Sequence, residues 1–148
     1  MRRNVKLSKQ WANAVDAKDK QCWANSVKAA YTFQAIYVEG WAVPTYSAGL
    51  SLPIEHGWCI FNGEIIDPSP AMLKQECEYF PGVEYSYELL IELIGTQLNA
   101  SNSVEPPFVW LDSIGTFKDE DYIRARDRAY ELAFGHGFME LFGAIYVD

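Results

Sequence analysis

The sequence lacks any long run of apolar residues. None of its 148 residues belongs to a stretch approaching the roughly 20 apolar positions that a membrane-spanning helix needs. The basic start is followed by polar residues and not by the apolar segment of a signal peptide. We therefore expect a soluble, cytoplasmic protein with no membrane partner. Its length fits one domain over residues 1–148, because domains commonly hold about 100–150 residues.

Positive charge is also scarce. The 12 Lys and Arg residues are outnumbered by 20 Asp and Glu residues, which gives a formal net charge of −8. A surface of that sign repels phosphate backbones, so nucleic acid is not an expected partner. The basic residues that do cluster, near the start and at 124–128, are most simply solvated helix faces.

Metal-ligating residues are few. The three cysteines, Cys22, Cys59 and Cys77, form no CxxC pair, and the two histidines, His56 and His136, lie far apart in the chain. This pattern does not match a structural zinc site, and we expect neither a metal nor a cofactor. The odd cysteine count leaves at least one thiol free, and a cytoplasmic chain keeps all three reduced. His136, between two glycines, is predicted to have a structural or exposed role.

The spacing of apolar residues predicts an α+β fold. The predicted order is a helix at about 6–17, a turn at 16–20, a helix from about Gln21, a strand at 35–43, a loop at 45–53, strands at 54–61 and 64–67, a turn at 79–82, a strand at 83–87, a helix at 87–98, a polar loop at 99–107, a short strand at 109–111 and a helix at 119–134. Asp119 is expected to cap the last helix, and Gly135 to end it.

A hairpin is predicted around Asn62-Gly63, since this dipeptide between two β-rich runs favours a two-residue turn. In that register His56 and Asp67 are diagonal neighbours on one face of the sheet. Their Cβ atoms are then about 7 Å apart, which is within reach of a His–carboxylate hydrogen bond.

Cys22, His56 and Asp67 together form a candidate Cys-His-Asp catalytic triad. A thiol attacks a carbonyl carbon as the thiolate, which a helix N-terminus and a neighbouring imidazole both stabilise. Cys22 opens a predicted helix, His56 lies on a predicted strand, and Asp67 ends the paired strand and can orient the imidazole. The sequence thus predicts nucleophilic catalysis by Cys22.

Motifs around these residues resemble the transglutaminase-like branch of the papain-like cysteine enzymes. The motifs, which lie within about residues 20–85, are Gln21-Cys22-Trp23, Tyr37-Val38-Glu39-Gly40-Trp41, His56-Gly57-Trp58 and Asn62-Gly63-Glu64-Ile65-Ile66-Asp67-Pro68-Ser69. Gly57 and Ser69 stand where other residues are commoner in that branch. The stretch is also similar to small bacterial and phage proteins with a Tyr-Val-Glu-Gly, Pro-x-x-His-x-Trp and Asp-Pro-Ser/Thr pattern.

The resemblance implies a papain/transglutaminase-like fold, in which an N-terminal helix carrying the cysteine packs on a small antiparallel sheet carrying the histidine and aspartate. It also implies a cysteine hydrolase or acyltransferase that acts on a peptide, protein or small amide, by hydrolysis or by transglutaminase- or deamidase-like transfer. The chain is far shorter than most transglutaminases. The sequence specifies neither the substrate nor the oligomeric state.

Several residues near the triad have two interpretations. Gln21 is either a cap or surface residue, or a donor to the oxyanion that forms during acyl transfer. Four aromatic residues either line a substrate groove or are simply core residues, and the sequence does not separate these options: Trp23, Tyr37, Trp41 and Trp58. Cys59 and Cys77 are expected to be packing residues, since free cysteines are commonly buried.

Two other functions compete with catalysis. One is a non-catalytic binding protein on the same scaffold, such as a phage-type factor that sequesters a host protein or small molecule; its size and acidity suit this role. The other is a structural protein whose thiol is incidental. Selective alkylation of Cys22 over Cys59 and Cys77 would favour the enzyme.

Overall fold

A computed structural model describes residues 1–45, 52–109, 119–135 and 137. Among these residues four α-helices and a four-stranded sheet confirm the predicted α+β class. The described residues do not include His136, most of the predicted loop at 45–53 or most of the predicted strand at 109–111. The elements are α1 (Val5–Ala14), α2 (Cys22–Phe33), β1 (Ile36–Pro44), β2 (Ile54–Phe61), β3 (Glu64–Ile66), a 3-10 turn (Met72–Lys74), β4 (Cys77–Tyr85), α3 (Tyr87–Ser101) and α4 (Glu120–Phe134).

Side chains and backbone conformation set the ends of the helices. Asn4 caps α1, where its Oδ1 accepts a hydrogen bond from the Leu7 N–H at 2.9 Å. This helix ends earlier than the predicted residue 17, and Asp16 adopts a left-handed φ of 53° in the following turn. Asp119 caps α4 as predicted, and the helix ends at Phe134, directly before Gly135.

The hairpin of β2 and β3 forms as predicted. Asn62 and Gly63 have φ angles of 50° and 74°, the left-handed values that a type I′ turn requires. The paired residues are Phe61 with Glu64, Ile60 with Ile65, and Cys59 with Ile66. Strand β3 stops after Ile66, one step short of the predicted Asp67. Pro68 lacks the N–H group that would continue the pairing.

The predicted turn at Tyr79–Gly82 is wrong. These residues lie inside β4, which pairs antiparallel with β1 from Tyr85 down to Cys77. Gly82 is an extra residue where the register shifts opposite the Glu39–Gly40 step, so Pro-Gly marks a β-bulge and not a reversal of the chain. Proline is tolerated at a bulge because the ladder is already interrupted there.

The strands follow the order β3-β2-β1-β4, and every neighbouring pair is antiparallel. On one face, Tyr37, Cys59 and Ile66 form a core with residues of α1, α2 and α3. The other face carries a second cluster, which consists of Val38, Trp58, Ile60 and Ile65. Helix α4 packs on β1 and β4 through a third cluster around Trp41 and Tyr122. Helix α2 contacts β2, which brings its N-terminus to the strand that carries His56.

Candidate active site

Cys22 is the first residue of α2, as the sequence predicts. The first N–H groups of a helix have no partner within the helix and carry partial positive charge, which stabilises an anion placed there. The thiol is partly exposed, whereas Cys59 is buried. Gln21 is the N-cap residue, but its side chain makes no capping hydrogen bond and is exposed to solvent. The Cys22 thiol and the exposed Gln21 amide therefore lie at the same helix end.

Three contacts of α2 fix the position of Cys22. The Asn25 side chain accepts a hydrogen bond from the Lys18 N–H at 3.0 Å and donates one to the Lys18 carbonyl at 2.7 Å, which holds the turn before the helix. The Ser26 hydroxyl donates to the Gly57 carbonyl of β2 at 2.9 Å. The Cys59 thiol donates to the Ser26 carbonyl at 3.3 Å. The two bonds of Ser26 join the first turns of α2 to the strand on either side of Trp58.

Gly57 permits this close approach of helix and strand. A Cβ atom at position 57 would lie 2.8 Å from Cε3 of Trp23, a distance that real Cβ atoms do not adopt. The Trp23 ring therefore rests against the backbone of β2, one residue from His56. The glycine that departs from the commoner motif is explained by this contact.

His56 and Asp67 form a buried pair at the end of the hairpin. The distance from His56 Nε2 to Asp67 Oδ2 is 2.8 Å, and the exposed fractions of the two side chains are 2% and 0%. Strand β3 covers β2 only over residues 59–61, so Asp67 reaches His56 from just beyond the last paired residue. The hairpin register therefore predicted the contact between His56 and Asp67 correctly.

Further hydrogen bonds hold the Asp67 carboxylate. The Tyr79 hydroxyl donates to Oδ2 at 2.6 Å, and the Ser69 N–H donates to Oδ1 at 3.1 Å. The Asp67 N–H itself donates to the Ser8 hydroxyl oxygen at 2.9 Å. Arg3 then donates to the Tyr79 oxygen at 3.2 Å. The carboxylate is thus oriented from β4 and from the segment that follows its own strand, and the Asp67 backbone is held by α1.

The charges of the pair stabilise each other. Burial lowers the pKa of His56, but the adjacent Asp67 carboxylate outweighs this and raises the pKa above its usual value. Burial raises the pKa of Asp67, but the imidazolium and the hydrogen bonds from Tyr79 and Ser69 outweigh burial and lower that pKa. At neutral pH the two groups are therefore an imidazolium–carboxylate ion pair.

The Cys22 thiol meets the imidazole as well. A side-chain hydrogen-bonding interaction with Cys22 and its negative charge both raise the pKa of His56. The hydrogen bonds of the described residues do not include one between Cys22 and His56, and catalytic hydrogen bonds are often long or poorly aligned without substrate. Because Asp67 occupies Nε2, the ring nitrogen left for the thiol is Nδ1.

The predicted groove aromatics lie mostly inside the protein. Tyr37, Trp58 and Trp41 are 0%, 1% and 8% exposed, and each belongs to one of the core clusters. Trp23 is partly buried against Gly57. A role in binding substrate stays a prediction for these residues.

A groove of about 520 Å³ lies near the site but does not contain the thiol. It is lined by Trp58, Ile60 and Ile65 of the sheet, by residues near the N-terminus and by residues of β4. The residues that line it do not include Cys22, His56 or Asp67. Trp58 and Tyr79 connect the groove to the triad, since their ring centroids are 6.1 and 6.3 Å from that of His56.

Sequence reasoning missed Tyr79, Arg3 and Ser8 as neighbours of Asp67. Tyr79 was placed in a turn, and a strand assignment with alternating faces would have directed it towards the sheet face of Trp58. Arg3 and Ser8 carry no motif, and they reach the hairpin through tertiary contacts such as the parallel bridge between Arg3 and Ile65.

Glu39, which the sequence predicts to face solvent or a groove rim, is instead a second buried carboxylate. It is 0% exposed and accepts hydrogen bonds from the Tyr37 and Tyr85 hydroxyls at 2.7 and 3.1 Å. The N–H groups of Phe108 and Val109 donate to it at 2.6 and 2.8 Å. Burial raises the pKa of Glu39, and these four hydrogen bonds oppose that shift. Glu39 thus joins the segment after α3 to the sheet.

The described residues contain no group of three or more His, Cys, Asp or Glu side chains arranged to hold a metal ion. Within the same part of the chain, the helices are too short or too polar to cross a membrane. Comparison with known proteins finds no matching family model, no matching curated protein and no matching solved structure.

Proposed function

We propose that this protein is a thiol-dependent acyl-transfer enzyme, with Cys22 as nucleophile, His56 as acid and base, and Asp67 as the group that orients His56. The observation that carries the proposal is a buried imidazole, held by a carboxylate, on the strand against which the helix opened by Cys22 packs. His56 meets the Asp67 carboxylate at 2.8 Å through Nε2, and it also interacts with the Cys22 thiol. A histidine held in this way has a fixed orientation towards the sulfur.

The reaction follows from these contacts. His56 holds the proton of the Cys22 thiol while the sulfur forms a bond to the carbonyl carbon of an amide or ester. When the tetrahedral intermediate collapses, the bond to the leaving amine or alcohol breaks and His56 gives that group its proton. Water or an amine then attacks the thioester, His56 takes the proton of this second nucleophile, and the thiolate leaves.

The start of α2 supplies the groups that stabilise the oxyanion. The N–H group of Cys22 lies at the positive end of the helix. The exposed Gln21 amide makes no hydrogen bond with the described residues and is free to donate to the developing charge. We therefore assign Gln21 the supporting role in the oxyanion site.

A papain/transglutaminase-like scaffold agrees with this assignment. A helix carrying the nucleophile packs on an antiparallel sheet, and the histidine and aspartate come from a strand and the end of its hairpin partner. These features support the scaffold as part of the same proposal.

The test is to trap the acyl-enzyme with p-nitrophenyl acetate. We expect a burst of p-nitrophenol and an acetyl group on Cys22, located by peptide mass spectrometry. Cys22→Ala should abolish both, and His56→Ala should slow acetylation by at least about a hundredfold, the usual contribution of a general base. Cys77→Ser is the matched control, because it removes a partly exposed thiol outside the triad.

Acetylation of all thiols at equal rates, or an unchanged rate in folded His56→Ala, would contradict the proposal. The competing function is a binding protein, and one observation favours it: the groove over Trp58 does not include the thiol. A Cys22→Ala protein that keeps its full biological effect would establish that alternative.

A further inference from the structure

One oxygen of Asp67 accepts two hydrogen bonds from side chains. The distance from Oδ2 to His56 Nε2 is 2.8 Å, and the distance from Oδ2 to the Tyr79 hydroxyl oxygen is 2.6 Å. An ionised carboxylate has no proton to give, so both groups donate to it. The other oxygen, Oδ1, accepts the Ser69 N–H at 3.1 Å. Tyr79 and His56 therefore share the electron density of the same atom.

The surroundings of Tyr79 direct its hydroxyl hydrogen to Asp67. Arg3 Nη1 donates to the phenol oxygen at 3.2 Å, so that oxygen is an acceptor on one side and a donor on the other. The guanidinium is itself held by the carbonyls of Met72 and Gln75, at 2.8 and 2.6 Å. A positive charge beside the phenol polarises its O–H bond and strengthens its donation to the carboxylate.

The titratable groups that act most strongly on Tyr79 come from the segment after β3, the segment before α1 and β4. They are Asp67, Arg3 and Cys77. Those that act on His56 are Asp67 and Cys22. Burial and the Asp67 charge raise the pKa of Tyr79, so the phenol stays protonated at neutral pH. Asp67 is common to both sets, and Tyr79 therefore influences His56 through this carboxylate.

We propose that Tyr79 is a positioning residue for the acid–base step: by donating to the same Asp67 oxygen as His56, it limits how tightly the carboxylate holds the imidazole proton. The inference deepens the proposed function and rests on it for the catalytic consequence. Burial raises the pKa of Asp67, whereas the charge of His56 and the Tyr79 hydrogen bond lower it, and a weaker base attracts the imidazole proton less. During acyl transfer a histidine must release its proton as well as take it up.

The experiment observes the Nε2 proton of His56 by NMR, in protein labelled with ¹⁵N in the histidine rings. The side chain is 2% exposed, which slows exchange of this proton with water, and His56→Gln identifies the signal. A stronger hydrogen bond to the carboxylate moves the proton downfield. In Tyr79→Phe we expect a downfield shift, and the midpoint of the ring-nitrogen titration should rise by at least about 0.5 pH unit, a change of about threefold in proton affinity.

A second replacement separates control of the proton from a purely structural effect. 3-Fluorotyrosine in place of Tyr79 keeps the ring and makes the hydroxyl a stronger donor, so it should move the proton upfield and lower the midpoint. Tyr85→Phe is the matched control, because it removes another tyrosine–carboxylate hydrogen bond of β4, to Glu39, and should change neither signal. The inference stands only if the two replacements at position 79 shift the signals in opposite directions. Any other pattern, such as shifts in the same direction, overturns it.

The catalytic consequence is measured on the acetyl-enzyme formed with p-nitrophenyl acetate. Its hydrolysis needs neutral His56 as the base, so the midpoint of its pH profile should rise in Tyr79→Phe by the same amount as the NMR midpoint. An unchanged profile beside a shifted NMR midpoint would contradict the positioning role. The NMR measurement needs no acetylation. Opposite shifts without an acetyl-enzyme would remove the proposed function alone, and a normal burst with unshifted NMR signals would overturn this inference alone.

Discussion

His56 Nε2 and Asp67 Oδ2 lie 2.8 Å apart in the protein interior, with the two residues eleven positions apart in the sequence. The short β3 explains the contact, because the strand ends at Ile66 and leaves Asp67 to turn towards the uncovered part of β2. The same arrangement leaves the Asp67 carboxylate accessible to the Tyr79 hydroxyl of β4, which donates a hydrogen bond to it.

Alkylation should distinguish the three cysteines. Burial raises the pKa of Cys59, and burial followed by the Asp67 charge raises the pKa of Cys77 to about 12. Neither thiol is therefore appreciably ionised at neutral pH. We expect iodoacetamide to modify Cys22 at least about tenfold faster than either, as measured by peptide mapping over time. Cys22→Ala provides the background rate, and modification of Cys77 as fast as Cys22 would contradict this prediction.

The members of the triad should not contribute additively. Asp67→Asn keeps the shape of the side chain but removes the charge that stabilises the imidazolium, so we expect a smaller loss of acetylation than for His56→Ala. Combining Asp67→Asn with His56→Ala should cost little more than His56→Ala alone, because the groups act as a unit. Burst kinetics with p-nitrophenyl acetate measure this. Losses that multiply would show that Asp67 acts independently of His56.

Tyr79→Phe should weaken the support of Asp67. The change removes the 2.6 Å hydrogen bond to the carboxylate and keeps the ring. Hydrogen bonds to charged groups contribute about 1.5–3 kcal/mol, so we expect the free energy of unfolding to fall by roughly that amount. Urea denaturation provides the measurement. Tyr31→Phe, at a side chain that is 54% exposed, is the control and should be nearly neutral. Equal effects of the two changes would remove Tyr79 from the network.

The buried pair should make stability depend on pH in two windows. The pKa of Asp67 is lowered in the folded state, so its contribution is present above the unfolded value of about 3.9 and is lost as the pH falls below it. The pKa of His56 is raised to about 10. Its contribution is complete below the unfolded value of about 6.5 and is lost as the pH rises towards the folded value.

Chemical denaturation across this range should therefore show the largest stabilisation by the pair between about pH 4 and 6.5. The comparison is with His56→Gln, which removes the titrating imidazole but keeps a polar side chain. Identical pH profiles for the two proteins above about pH 6.5 would mean that the folded and unfolded pKa values of His56 do not differ.

Glu39→Gln should destabilise the protein without touching the triad. The carboxylate accepts hydrogen bonds from two hydroxyls and two N–H groups, and the amide NH₂ of glutamine cannot accept from them. Leaving a buried donor unsatisfied costs about 1–3 kcal/mol, and we expect a loss of that order in the free energy of unfolding. Glu84→Gln, on an exposed side chain of the neighbouring strand, should change it by less than about 0.5 kcal/mol.

The sequence by itself determined the local parts of this protein. The Asn62-Gly63 turn fixes the register of β2 and β3, since left-handed φ angles at both positions favour one hairpin geometry. That register was enough to predict the His56–Asp67 contact. The start of α2 at Cys22 and the Asp119 cap of α4 were also readable, because caps and turns depend on side chains within a few residues.

Only the tertiary structure decided the rest. The β1–β4 pairing makes a strand out of the Pro-Gly segment that local chemistry assigns to a turn, because the ladder with β1 outweighs that preference. The same pairing delivers Tyr79 to Asp67, and the packing of α2 against Gly57 brings the start of that helix to the strand that carries His56. These contacts join residues far apart in sequence, and the free energy that selects them comes from burial of whole faces of helices and sheet, to which no single motif corresponds.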